Sequence, residues 1–98
     1  MKNILFLMLC LSSLGYSNSF SAETQPPSQA AMCAGCHGPK GISFSPEVPN
    51  LAGQKQAYLD KAIRDYRSGK RKNPMMNSMV GSLSDDDIAT LSSYYSKL

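Results

Sequence analysis

Cys33-Ala34-Gly35-Cys36-His37 is the stretch on which the interpretation of the whole chain depends. Two thiols separated by two residues lie within one turn of chain, and an imidazole directly follows the second thiol. This is the C-x-x-C-H signature of covalent haem attachment, in which each thiol adds to one vinyl group as a thioether and the histidine binds the iron. The motif therefore predicts one haem fixed to a single turn of the chain.

Two other kinds of site share the C-x-x-C spacing, a thioredoxin-like redox pair and half of a zinc site. A structural zinc site needs four ligands, and the third cysteine, Cys10, lies in a segment that we interpret below as a removed leader. A thioredoxin-like motif follows a strand, whereas residues 26–32 have a short helical pattern. Haem attachment is therefore favoured, with a Cys33–Cys36 disulfide as the simplest alternative.

Residues 1–22 have the pattern of a secretory signal peptide. Lys2 supplies a positive start, and residues 4–11 form an apolar run that is too short to cross a bilayer. Cleavage is expected after Ala22, with Ser19 and Ser21 as near alternatives. We therefore expect a domain of residues 23–98 that is exported to the periplasm and has no membrane span in its mature form.

The mature domain is small enough that a hydrophobic core alone gives marginal stability. A buried haem would add a large apolar surface for the helices to pack around, so we expect the chain without haem to be poorly folded. The formal net charge of +3 is low and includes Lys2 of the leader. Two haem propionates would offset the rest, so the charge does not require nucleic acid or a membrane surface as a partner.

Two helices are predicted after the motif. Residues 55–68 carry apolar side chains at helical spacing and end before Gly69. The last helix begins at Ser84, a preferred N-cap residue, and Asp87 stands at the capping-box position. With the helical pattern before the motif, the sequence predicts an all-α fold of three main helices.

The connections between these helices are predicted to be irregular. Residues 38–53 are rich in glycine, proline and serine, and residues 70–83 lack a clear period. Basic residues cluster near the second connection, where a solvated helix end is the simplest interpretation and a docking patch for an acidic redox partner is the alternative. These residues are Arg64, Arg67, Lys70, Arg71 and Lys72.

The second connection also contains three methionines, Met75, Met76 and Met79. Methionine is an adaptable core filler, and this interpretation suffices for at least two of the three. A haem that is bound by histidine needs a sixth ligand, however, and a thioether raises its potential for electron transfer. We expect that ligand to come from this segment.

Taken together, these segments resemble class I cytochromes c, most closely the small periplasmic mono-haem cytochromes related to the halves of bacterial di-haem cytochromes c. The resemblance covers residues 32–98. It rests on five segments in the same order: the Cys33–Gly38 motif, Pro49–Gln54, Tyr66–Arg71, the methionine segment, and Leu83–Ile88 followed by Tyr94-Tyr95.

The resemblance implies a cytochrome c fold around one haem c and a role for each residue of the site. Cys33 and Cys36 match the thioether cysteines, and His37 matches the proximal iron ligand. The carbonyl of Pro49 is expected to accept a hydrogen bond from His37, and Leu51 is expected to pack on the haem. Met76 matches the distal ligand, with Met75 and Met79 as reserves.

The same resemblance implies a one-electron carrier with His/Met axial ligation, which turns over no substrate and shuttles electrons between redox proteins of a respiratory chain. Its donor and acceptor would be proteins such as a periplasmic dehydrogenase and a membrane oxidase. The alternative is the haem c subunit of a periplasmic dehydrogenase complex such as a flavocytochrome. An iron that lacked the methionine would instead suit a ligand sensor or a peroxidase-like enzyme.

Overall fold

The computed structural model describes Gly15 and residues 25–98, and the regular structure within these residues is entirely helical. The four helices are α1 (Ala30–His37), α2 (Gln56–Ser68), α3 (Pro74–Val80) and α4 (Asp85–Ser96). The predicted all-α class is confirmed. The predicted signal peptide and Cys10 lie outside the described residues, apart from Gly15. Within the described ranges, no helix combines the length and the apolar character that a membrane crossing requires.

Helix α4 begins as the sequence predicts. The Ser84 side chain accepts the backbone N–H of Asp87 at 3.0 Å, and the Asp87 carboxylate accepts the backbone N–H of Ser84 at 3.0 Å. This reciprocal capping box gives partners to two backbone N–H groups at the helix start. Three aspartates in the first turn place negative charge at the positive end of the helix dipole, which stabilises the helix. Helix α2 likewise ends at Gly69, whose N–H bonds to the Tyr66 carbonyl.

The prediction that residues 70–83 are irregular is wrong for residues 74–80, which form the short helix α3. Two local signals account for it. The Asn73 side chain accepts the backbone N–H of Met76 at 3.0 Å, and Pro74 occupies the first turn, where its fixed φ suits a helix. The methionines are therefore presented on a helical turn rather than on an extended loop.

Helix α2 packs against both α3 and α4. Their apolar faces meet in one core, in which Ile88 and Leu91 of α4 are almost completely excluded from solvent. The buried apolar residues of this core are Ala30, Leu59, Val80, Leu83, Ile88, Leu91 and Tyr95. Since all four helices contribute, the core fixes α1 and α3 on a common base formed by α2 and α4.

Tyr95 joins α4 to the first half of the domain. Its hydroxyl lies 3.5 Å from the Ala30 carbonyl of α1, and its own carbonyl accepts the N–H of Gly53 at 3.0 Å. Gly41 lies against its ring with φ +71°, and a Cβ at Gly41 would approach within 2.9 Å of both Tyr95 Cδ1 and Ala52 N. The connection 38–53 is thus held against α4 as closely packed backbone.

The first two arginines of the basic cluster have partners within the chain. Arg64 bonds to Asp60 at 2.6 Å and to Asp85 at 2.7 Å, and Arg67 bonds to Asp85 at 2.6 Å. Arg67 also donates to the carbonyl of Leu83 at 2.9 Å. These two arginines therefore connect α2 to the start of α4 and do not form a solvated helix end.

We expect Asp85→Asn to destabilise the protein at neutral pH but not in acid. Hydrogen bonds from Arg67 and then Arg64 lower the pKa of the Asp85 carboxyl. A lowered folded-state pKa gives stability that is present above the usual carboxyl pKa and lost as the pH falls through the folded-state value. Chemical denaturation at pH 7 and below pH 3 measures the difference, which should be modest because Asp85 is exposed.

Asp86→Asn is the matched control, since it removes a neighbouring charge from the same helix turn. Its loss of unfolding free energy measures the interaction of one aspartate with the helix dipole, which both substitutions remove. Equal losses of unfolding free energy in the two variants at pH 7 would contradict a role for the Asp85 ion pairs.

Candidate functional site

The C-x-x-C-H motif occupies the second half of α1. Cys33 is half-buried, Cys36 is exposed and His37 is buried, and both cysteines are free thiols. Helix α1 ends where Gly38 adopts φ +89° and ψ +152°, a conformation that is nearly exclusive to glycine. A Cβ at Gly38 would lie 1.9 Å from the carbonyl oxygen of Ile42. Glycine is therefore required immediately after the histidine so that the chain turns back on itself.

The imidazole of His37 is oriented by the connection 38–53. Its Nδ1 lies 2.7 Å from the carbonyl oxygen of Pro49. A carbonyl only accepts hydrogen bonds, so this contact places the proton of the neutral ring on Nδ1. Nε2 is left with a free lone pair, which is the form in which histidine binds a metal.

A cavity of about 550 Å³ lies beside the motif. Both thiols, the His37 ring and all three methionines of α3 contribute to its wall. Most of the remaining wall is apolar and comes from Met32, Val48, Pro49, Leu51, Leu59, Ala62, Ile63, Val80, Leu83 and Leu91. The size lies within the range of cofactor sites, about 300–1,000 Å³. The fold thus brings every sequence-predicted site residue to one cavity.

The two thiols differ in their surroundings. Burial raises the pKa of the Cys33 thiol, although a hydrogen bond with the Tyr95 hydroxyl partly opposes this rise. Cys33 Sγ also lies 3.9 Å from the carbonyl oxygen of Gln29. Burial likewise raises the pKa of Tyr95, so its hydroxyl remains protonated beside the sulfur. The surroundings of Cys33 therefore disfavour a charged sulfur.

The three methionines differ mainly in exposure. Met75 is 65% exposed and Met79 is 36% exposed, whereas Met76 is partly buried and packs against the core. The backbone N–H of Met76 is bonded to the Asn73 cap. Met76 is therefore the least exposed of the three methionines.

Polar side chains at the cavity include several that sequence reasoning did not assign. Arg71, interpreted from the sequence as part of a basic cluster, has its guanidinium carbon 4.8 Å from the centre of the Tyr66 ring, and it donates to the Tyr58 hydroxyl at 3.4 Å. Glu47 and Gln54 also line the cavity. The sequence signals for Arg71 were its charge and its place in the Tyr66–Arg71 segment of the family resemblance, and neither specified its contacts, which depend on how the chain turns after α2.

The zinc and thioredoxin alternatives find no support in the part of the chain that the structure describes. No group of three His, Cys, Asp or Glu side chains there converges as metal ligands would. The residues before Cys33 are the first turn of α1 rather than a strand. The site has instead the elements of a ligand cavity beside two thiols and an imidazole.

A family model described as cytochrome c matches residues 28–98, which is more than half of the chain. The chain therefore belongs to the cytochrome c family, and membership implies haem c as its cofactor. The match includes the whole motif and all four helices.

Curated relatives from several bacteria are similar to this chain. Cytochrome c4 of Pseudomonas aeruginosa is 35% identical over 94 residues, which cover 96% of this chain and 47% of that protein. Cytochrome c-553 of Helicobacter pylori is 33% identical over 92 residues, covering 90% of this chain and 92% of that protein. The thiosulfate dehydrogenase electron acceptor of Thiomonas intermedia is 39% identical over 89 residues, covering 90% of this chain and 41% of that protein. The chain spans about half the length of the cytochrome c4 relatives that it matches.

Among solved structures, that of reduced recombinant cytochrome c4 from Pseudomonas stutzeri aligns with a TM-score of 0.64 at 39% identity. The alignment covers 67% of this chain and 37% of that chain. The predicted cytochrome c fold is confirmed, with α3 as a short fourth helix.

The described residues fit a haem c. The cavity supplies apolar walls for a flat macrocycle, and two thiols three positions apart on one helix face it. It also supplies an imidazole with a free Nε2 and a choice of thioethers, which are the two donors of a low-spin electron-transfer haem.

We expect Gly38→Ala to destabilise the haem-loaded protein by about 1–3 kcal/mol or more, because alanine disfavours the Gly38 conformation and its Cβ would overlap the Ile42 carbonyl. Gly35→Ala is the matched control, since a Cβ at Gly35 has no heavy atom within 4 Å. Thermal unfolding followed by circular dichroism measures both. Equal midpoints for the two variants would show that the turn after His37 is not constrained as described.

Proposed function

We propose that this chain is a periplasmic one-electron carrier with a single haem c, attached through Cys33 and Cys36 and bound axially by His37 and Met76. The observation that carries the proposal is the one cavity whose wall contains both thiols, the oriented imidazole and the methionines of α3. When bound, the haem supplies one-electron exchange between ferric and ferrous iron.

In this proposal the chain's residues hold and tune the cofactor. Pro49 retains the proton on Nδ1 of His37 and so fixes the direction of Nε2. Leu51 and the apolar residues of α2 and α4 exclude water from the cavity and lower its effective dielectric constant. Two thioether bonds, from Cys33 and Cys36, keep the haem attached during encounters with partners.

Met76 is the proposed sixth ligand, with Met75 and Met79 as reserves. Its support is its partial burial against the core and the capping bond to its backbone N–H. A filled sixth position leaves the iron without an open site for peroxide or oxygen, so the proposed role is electron transfer and not catalysis.

The proposed partners are a redox donor and a redox acceptor in the periplasm. The leader pattern of residues 1–22 supports export, and residues 23–98 would then be the mature domain. Electron-transfer partners associate through small interfaces and separate quickly, which suits a domain of this size.

A second candidate is the haem subunit of a periplasmic dehydrogenase. The similarity to a thiosulfate dehydrogenase electron acceptor favours it, because that relative is named for accepting electrons from an enzyme. Purification of the chain from its native source discriminates the two. A stoichiometric dehydrogenase, flavin-containing or otherwise, supports the subunit role, whereas a free monomer supports the mobile carrier.

Covalent attachment is tested by co-expressing the chain with a haem-attachment system and staining a denaturing gel for haem. The wild type should retain one haem per chain, and Cys33→Ser with Cys36→Ser together should retain none, because no thioether remains. A known cytochrome c that is expressed in the same cells serves as the positive control. If that control carries covalent haem and the wild-type chain does not, the proposal is overturned.

The sixth ligand is tested by the far-red absorption band of methionine-bound ferric haem. We expect Met76→Ala to abolish this band and to lower the reduction potential, because the thioether stabilises ferrous iron. Met75→Ala and Met79→Ala are matched controls from the same helix and should keep the band. If only one of these control variants loses the band, the methionine replaced in that variant is the sixth ligand and Met76 is not.

A further inference from the structure

Asn77 directly follows Met76 on α3, and its side-chain amide bonds to three backbone groups. Its Nδ2 donates to the carbonyl oxygen of Tyr66 at 2.7 Å and to that of Arg71 at 2.9 Å. Its Oδ1 accepts the backbone N–H of Asn73 at 3.0 Å. One amide therefore joins the last turn of α2, the connection that follows it and the residue that caps α3.

These bonds act where the backbone needs partners. Tyr66 lies in the last turn of α2, where its carbonyl accepts a long bond of 3.3 Å from the Gly69 N–H and has a second lone pair free for the shorter Asn77 bond. Arg71 lies in the irregular connection, and its own N–H bonds to the Asp65 carbonyl at 3.0 Å. The Asn77 bond to Tyr66 is partly buried, so water would replace it incompletely if it broke.

The turn that carries Met76 is thus enclosed by two asparagines. Asn73 accepts the backbone N–H of Met76 with its side chain, and its carbonyl accepts the backbone N–H of Asn77 at 2.8 Å. Asn73 stabilises the turn internally, whereas Asn77 alone attaches it to α2 through side-chain bonds. The two side chains therefore have separable effects.

We propose that Asn77 is the positioning residue that keeps the α3 turn, and with it the Met76 thioether, closed over the cavity. The inference rests on the proposed function, in which Met76 is the sixth ligand. A thioether is a neutral, weak donor, so its occupancy of the sixth position depends on the cost of moving α3 away from α2. The Asn77 bonds raise that cost and so exclude competing ligands.

The test uses the ferric, haem-loaded protein and three variants. Asn77→Asp has nearly the same shape and keeps the acceptor for the Asn73 N–H, but its carboxylate cannot donate to the two carbonyls. Asn77→Ala removes all three bonds without adding charge. Asn73→Asp is the matched control, because it adds the same charge one turn earlier and keeps the oxygen that accepts the Met76 N–H.

Two measurements separate positioning from a general effect on folding. Imidazole titration reports the cost of displacing Met76, and we expect Asn77→Asp and Asn77→Ala to bind imidazole at least about tenfold more tightly than the wild type. Heating reports local opening. The far-red band of these variants should be lost at a lower temperature than their helical circular dichroism, whereas the two transitions should stay together in the wild type and in Asn73→Asp.

The inference is overturned if Asn77→Asp and Asn77→Ala match the wild type in imidazole affinity, or if their band and helical signal still melt together at a lowered temperature. A wild type that lacks the far-red band refutes the Met76 ligation, and the inference with it. A wild type that shows the band while the Asn77 variants behave normally refutes only the inference.

Discussion

The packing of Tyr95 is the interaction on which the arrangement of this domain depends. Its hydroxyl reaches α1 at Ala30, its carbonyl holds the N–H of Gly53, and its ring lies against Gly41. These contacts join the last helix to both parts of the chain that carry the motif and its supporting connection. A bond from the Gln29 amide to the Asp87 carboxylate, at 2.7 Å, adds a second link between the start of α1 and α4.

The segments that Tyr95 holds together also position the residues of the site. The connection 38–53 returns along α4 and presents the Pro49 carbonyl to His37, which fixes the ring and the position of its proton. Helix α2 contributes apolar residues to the cavity wall. The Asn77 side chain of α3 donates a hydrogen bond to the Tyr66 carbonyl near the C-terminal end of α2. The imidazole and the methionines therefore reach the same cavity from segments that are far apart in sequence. Such an arrangement suits a cofactor that needs two axial ligands.

The polar contacts serve different purposes in the two halves of the domain. Around α2 and α4, exposed ion pairs at Asp85 join helices whose main stabilisation is apolar burial. Around the cavity, the important bonds involve backbone carbonyls, at Pro49 for the imidazole and at Tyr66 for α3. Bonds of this kind set direction, and the partly buried bond at Tyr66 also resists opening, because water would replace it incompletely.

The sequence by itself determined the motif, the all-α class, the ends of α2 and the capping box of α4, because each depends on residues close together in the chain. It narrowed the sixth ligand to three neighbouring methionines, and the family resemblance selected Met76 and the Pro49 carbonyl. It missed α3, whose Asn73-Pro74 start is a local signal that was present but outweighed by the irregular surroundings. Only the tertiary structure decided which methionine is least exposed, that Arg64 and Arg67 bind Asp85, and that Asn77 attaches α3 to α2. These features depend on contacts between segments that are distant in the sequence. A local sequence pattern does not specify which of those segments meet in space.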